Sequence, residues 1–326
     1  MKRLALVITT LSVFLIGSAA AQAATVWNMA TPYPDATFHT KNDRWLAKQI
    51  ENKTDGKLVV RVHSNGSLVK HPQIKQAVQT GQVQMGEVLV SILSNENPVY
   101  AVDSIPFLAT SYAQARGLWK AQRPVVKKLL AQQGLMLLYA EPWPPQGLYT
   151  AKPVKSLADL KKVKFRAYNA ETAKLAKLMG AVPTQVEVPD IPQAFSTGIV
   201  QAMITSSSTG VNSQAWDYVH YYYTLNAWLP KNMVFVNKQA FESLPASERK
   251  AVLKAAHAAE QRGWKMSRQV NKTKLAALKK HGMKVLEPSA KLRSQLHKIG
   301  RTMVKDWLAK AGSQGQQIIK QYRSAQ

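Results

Sequence analysis

The stretch KFRAYNAETAKLAKLMGAVP, Lys164 to Pro183, decides how the chain folds. A short strand pattern, Lys164 to Tyr168, carries an arginine, Arg166, and runs straight into a helix pattern that Gly180 stops. The next strand pattern, TQVEV, begins at Thr184, so one strand–helix–strand unit is complete. No glycine-rich phosphate loop joins the first strand to the helix. Arg166 therefore stands at the mouth of a helix and must face an anion. A fork-shaped guanidinium suits a carboxylate, either of a bound molecule or of an internal acid such as Asp190 or Glu187. The pattern alone leaves both open.

The same alternation extends in both directions. Upstream, a strand to about Met29 precedes a helix from Phe38 with Phe38, Trp45, Leu46 and Ile50 on one face, then KLVVRVHS, PQIKQAVQTGQ and VQMGEVLV read as strand, helix, strand. PVVKKLLAQQG reads as a helix with Pro124 in its first turn and Gly134 beyond its end, followed by the buried strand LMLLYAEPW. PPQG then breaks the pattern, which restarts around Arg166. KNMVFVNK returns as a strand, and a helical stretch from about Pro245 to His281 is long enough to span two lobes. The expectation is an α/β clamp: two α/β lobes, chain crossings near Gln146 and Pro230, and one long helix across both. Residues 24–146 with 231–270 form lobe I, and 147–230 with 271–326 form lobe II. A ligand would sit in the cleft between them, at strand ends.

Composition narrows the function. The 326 residues include 46% hydrophobic side chains, enough for a substantial core, and no cysteine, which removes disulfides, thiolate nucleophiles and cysteine-bound metals. Lys and Arg number 44 against 18 acidic residues, a net charge of +26. The positive charges are dispersed, without a basic arm or interleaved aromatics, so nucleic acid is not the expected partner. Lys2 and Arg3, the apolar run Leu4–Ile16 and Ala21-Gln22-Ala23 have the form of an export leader cleaved near Ala23/Ala24.

Catalytic signatures are missing. There is no G-x-G fingerprint, Walker sequence, G-x-S-x-G elbow or HExxH, and the seven histidines show no metal-ligand spacing. The expectation is a binding protein with no enzyme activity, cofactor or metal. Glu87, inside the apolar strand QMGEVLV, reads first as a satisfied structural carboxylate and remains a candidate ligand contact.

Over essentially the whole mature chain, and most specifically between Ser156 and Ser206, the sequence resembles the DctP-type periplasmic solute receptors of tripartite ATP-independent periplasmic (TRAP) transporters. Lys164-Phe165-Arg166, Gly180-Ala181-Val182-Pro183 and Ala194-Phe195-Ser196-Thr197-Gly198 carry the resemblance, with DSIPFL (103–108) and ASERKAVLKAAHAA (246–259) as further landmarks. The resemblance implies a bilobed periplasmic receptor, expected as a monomer, that delivers a small carboxylate to membrane permease subunits. It implies that Arg166 pairs with the ligand carboxylate and that Asn169 and Thr205 supply polar contacts, although relatives commonly carry Asn where Thr205 stands. Gln146 occupies a position where sialic-acid-binding relatives have a second arginine, and Leu89 one where they have an acid. With Trp143, Tyr168, Trp216 and Tyr33 near cleft-facing segments, the expected ligand is a monocarboxylate with an apolar body, specifically an aromatic or a 2-oxo or 2-hydroxy acid. The alternatives are a C4-dicarboxylate or sugar acid in the same kind of receptor, or an exported basic protein that binds a surface polyanion.

Overall fold

Alternating apolar runs and amphipathic helices condense into two sheets, each flanked by helices. The computed structural model describes residues 23–324; the leader expected at residues 1–23 lies almost wholly outside them. The first unit contains β1 (Thr25–Ala30), α1 (Phe38–Lys53), β2 (Leu58–His63), α2 (Ile74–Gln79), β3 (Met85–Leu89), α3 (Tyr112–Ala131) and β4 (Leu135–Pro142). The second contains β5 (Gln146–Thr150), β6 (Lys164–Ala167), α4 (Ala170–Leu178), β7 (Val182–Gln185), α5 (Ile191–Ser196), β8 (Ala202–Ser206), α6 (Ser207–Asn212) and β9 (Tyr221–Tyr223). The chain then returns through β10 (Lys231–Asn237) and α7 (Lys238–Glu242), and closes with α8 (Ala246–Lys280), β11 (Lys284–Leu286) and α9 (Ala290–Ser324), the last broken at Gly312.

The first sheet has the order β2-β1-β3-β10-β4, the second β11-β9-β5-β8-β6-β7. Neither is wholly parallel. β10 runs antiparallel to β3 and β4 because it re-enters the first sheet from the second unit. β5 likewise enters the second sheet antiparallel to β8 and β9. The two crossings lie side by side, joined by backbone bonds from Trp143 to Pro230 and reciprocally between Gln146 and the 227–228 segment. They make a short ribbon between the sheets.

α8 packs on α1 and β4 at one end and on α6 and β11 at the other, so the one long helix spans both units. Its approach to β4 requires Gly263: a Cβ there would overlap a Glu141 carboxylate oxygen. α9 touches α3 on the first side and α4 on the second.

α3 departs from the sequence reading. It begins at Tyr112, with Ser111 capping it, and carries Pro124 in its interior rather than in its first turn. A proline deletes one N–H and ordinarily breaks a helix. Here Ala115, Leu118, Trp119, Gln122, Val126 and Leu130 form one buried face that continues across it, and burial of that face outweighs the local penalty. β7 likewise ends at Gln185, so Glu187 and Val188 are freed to turn toward the cleft.

Candidate ligand-binding site

Arg166 is the third residue of β6, paired between β7 and β8. Its side chain is 1% exposed. Nε donates to the Val186 carbonyl at 3.0 Å, while Nη1 has no partner. Among the described residues Arg166 makes no ion pair, so the internal alternatives Asp190 and Glu187 do not neutralise it through contact. Burial pulls its pKa below the ordinary arginine value, opposed mainly by the charge of Glu187. A buried guanidinium with an unused donor is costly unless an anion arrives.

Arg166 lines a small cavity that is partly open to solvent. Of the residues singled out in the sequence, Tyr33, Trp143, Gln146, Arg166, Tyr168 and Thr205 line it. So do His71, Leu89, Glu187, Val188, Thr209 and Pro230. The wall combines strand ends of both sheets with the crossing ribbon, the usual place for a ligand cleft in open α/β sheets.

The first unit supplies a fixed aromatic corner. Trp143 and Tyr33 meet edge to face with ring centres 5.1 Å apart. Trp143 Nε1 and the Tyr33 hydroxyl both donate to Asn232 Oδ1, at 2.8 and 3.2 Å. Asn232 in turn donates to Glu87 at 2.7 Å, and the Thr31 hydroxyl donates to the other Glu87 oxygen. Glu87 therefore stands one residue behind the wall and orients it; it does not line the cavity.

The second unit supplies the polar groups. Tyr168 places its ring 5.2 Å from the Arg166 guanidinium and its hydroxyl donates to Gln146 Oε1 at 3.2 Å. Gln146 Nε2 is already committed to the Pro144 carbonyl. The Thr205 hydroxyl has no hydrogen-bond partner among the described residues, although the residue is only 4% exposed.

Two sequence candidates are placed elsewhere. Trp216 stacks on His281 with ring centres 3.9 Å apart and is absent from the cavity wall. The residues after β8 turn into α6 and carry Trp216 to that helix's far end. Asn169 caps α4, accepting from the Thr172 N–H at 2.8 Å, and donates to the Ser91 hydroxyl of the first unit at 2.7 Å. It ties the units together rather than facing the cavity.

The most informative residue missed is His71, and Glu187 was named only as an internal partner for Arg166, not as a ligand contact. The Leu89 N–H donates to His71 Nε2 at 3.1 Å, so the proton is on Nδ1, which donates to Glu187 Oε2 at 3.1 Å. Burial raises the Glu187 pKa, but the His71 bond and the charge of Arg166 outweigh it and hold the carboxyl below its ordinary value. Glu187 is thus an anion at neutral pH, across the cavity from a cation. Beyond that reading of Glu187 as an internal acid, the sequence signal is the Val188-Pro189 pair directly after it, which ends a strand pattern.

Comparison with known proteins agrees with this architecture. Residues 29–311 match the family model described as DctP, bacterial extracellular solute-binding protein, family 7. The fold superposes on Bordetella pertussis DctP7, an extracytoplasmic solute receptor binding pyroglutamic acid, with a TM-score of 0.91 and 51% identity over 92% of this chain and 100% of that one. Bordetella pertussis DctP6, also binding pyroglutamic acid, is 43% identical with a TM-score of 0.91, covering 92% and 100%. A marine-metagenome TRAP solute-binding protein with co-purified pyroglutamate is 40% identical with a TM-score of 0.90, covering 92% and 99%. No helix among the described residues is long and apolar enough to cross a membrane. The chain belongs to the DctP family and is a solute receptor of the TRAP type.

Proposed function

We propose that this receptor binds pyroglutamate, a five-membered cyclic amide with one carboxylate, and presents it in the periplasm to a TRAP permease. The observation that carries the reading is the pairing of an unpartnered buried Arg166 Nη1 with the Glu187 carboxylate on one small cavity. Arg166 takes the ligand carboxylate. Glu187 accepts the amide N–H, and the unpaired Thr205 hydroxyl donates to the amide carbonyl. The ring methylenes rest against Trp143, Leu89, Val188 and Pro230. The three similar receptors with pyroglutamate support the choice: it is a small monocarboxylate, as the sequence reading expected, but a cyclic amide rather than an aromatic, 2-oxo or 2-hydroxy acid.

A second ligand carboxylate would meet Glu187 with no spare cation. Lys231, a buried lysine on the crossing, is paired with Asp103 at 3.2 Å. Desolvating an unpaired charge costs several kcal/mol, so succinate-like and other dicarboxylic ligands are disfavoured. The cavity brings together no nucleophile–base pair, and we assign the chain a binding role with no catalysis, acting as a monomer after leader cleavage near Ala23/Ala24.

A thermal-shift panel tests the ligand. Pyroglutamate should give the largest shift. 2-Pyrrolidone, which lacks the carboxylate, and cyclopentanecarboxylate, which lacks the amide, should each give much less. A dominant shift with succinate, a uronate or an aryl acid would refute the assignment.

A further inference from the structure

Behind the aromatic corner, and away from the ligand cavity, a second set of chemically capable groups is buried. His39 projects from α1, Glu87 from β3 and Glu141 from β4, positions that no sequence spacing connects. All three are 0% exposed, and one ligand atom from each lies within 4.8 Å of the others. Both ring nitrogens of His39 lack a hydrogen-bond partner, and so does Glu141 Oε1. A buried imidazole with neither nitrogen satisfied is rare and costly.

We propose that His39, Glu87 and Glu141 form a buried divalent-cation site, of the class filled by Zn²⁺, within the first unit. One imidazole and two carboxylates are a recognised donor set for such an ion. The ion engages lone pairs that the protein leaves unused on His39 and Glu141. Zinc bonds of about 2.0–2.2 Å bring ligand atoms to about 3.4 Å apart, so loading draws the three side-chain tips inward.

The surroundings have the form of an outer shell. Asn42 Nδ2 donates to Glu141 Oε2 at 2.9 Å, and Asn42 Oδ1 accepts from Arg262 at 2.8 Å. Thr31 and Asn232 hold Glu87. The Tyr139 hydroxyl donates at 3.2 Å to Asp43, whose second oxygen is also unpartnered. Such second partners orient metal ligands. The site also abuts the cavity wall: the His39 ring is 4.1 Å from the Trp143 ring, centre to centre. An ion here would stiffen that wall without touching the ligand.

The test is titration of chelator-treated full-length protein with ZnCl₂, followed by calorimetry and by elemental analysis after gel filtration. One zinc should be retained per chain. His39→Ala and Glu141→Gln should each weaken binding by about a hundredfold or more, whereas His257→Ala, at an exposed histidine, should leave it unchanged. No retained zinc, or equal binding by all variants, overturns the proposal. If the core variants do not fold, X-ray absorption of zinc-loaded wild-type protein decides: one imidazole with carboxylate oxygens supports the site, and two or more imidazoles, as surface histidines would give, overturns it.

Discussion

At the scale of single residues, the proposed function rests on one buried cation, Arg166, whose Nη1 the fold leaves without a partner. Charge-assisted hydrogen bonds contribute about 1.5–3 kcal/mol, and a bidentate pair somewhat more. Arg166→Ala should therefore weaken ligand binding by at least about tenfold to a hundredfold, with circular dichroism unchanged. Arg166→Lys should also be impaired, because a point charge cannot reproduce the guanidinium fork. Glu187→Gln should weaken pyroglutamate more than cyclopentanecarboxylate, which has no N–H to offer; equal losses on the two ligands would remove Glu187 from amide recognition. Arg166 was singled out in the sequence because a strand–Arg–helix junction demands an anion, and the resemblance, not the pattern, made that anion the ligand's. His71 was not, since a lone histidine in a loop acquires meaning only when Leu89 and Glu187, distant in sequence, close on its two nitrogens.

At the scale of elements, close approach of α8 to β4 holds the long helix to the first sheet. Gly263→Ala raises intrinsic helix propensity by up to about 1 kcal/mol. The added Cβ would nevertheless overlap one Glu141 oxygen and fall 2.9 Å from the Glu141 Cβ, both in a fully buried region. Overpacking of this kind costs about 1–3 kcal/mol, so the variant should be net destabilised. Urea unfolding would show a lower midpoint; a midpoint at or above wild type would mean that α8 can shift away. Long periodic elements such as α1 and α8 were readable from sequence because burial repeats along them. α3 was cut short in that reading because Pro124 was placed in a first turn, where proline is favoured, and only tertiary burial of the face from Ala115 to Leu130 carries the helix through it. Trp216 was misplaced for a related reason: an aromatic residue shows that something is buried, not which side of a turn receives it.

At the scale of the whole molecule, two units joined by a two-segment ribbon are suited to close on a ligand. The His71–Glu187 and Asn169–Ser91 bonds both cross between them. Small-angle scattering should give a smaller radius of gyration with ligand than without. Glu171, at the start of α4, receives a bond from Ser94 of the first unit and lies in the same interface. Burial raises its pKa from 4.5 to about 7, helped by Asp103 and opposed first by its own backbone N–H, then by the Ser94 bond and Lys310. A carboxyl raised on closure favours the closed form while protonated, so this contribution is full below pH 4.5 and lost as pH rises through about 7. Ligand affinity should fall as pH rises through about 7, and Glu171→Gln should flatten that dependence; an unchanged slope in the variant would assign the effect elsewhere. The central claim, that a buried Arg166 captures a small cyclic monocarboxylate between the two units, is tested most directly by calorimetry on protein stripped of bound ligand by unfolding and refolding. Titration with pyroglutamate should give saturable heat with one site per chain, and Arg166→Ala should give none at the same concentrations. Absence of heat with the wild-type protein, or an undiminished isotherm with Arg166→Ala, would contradict the account.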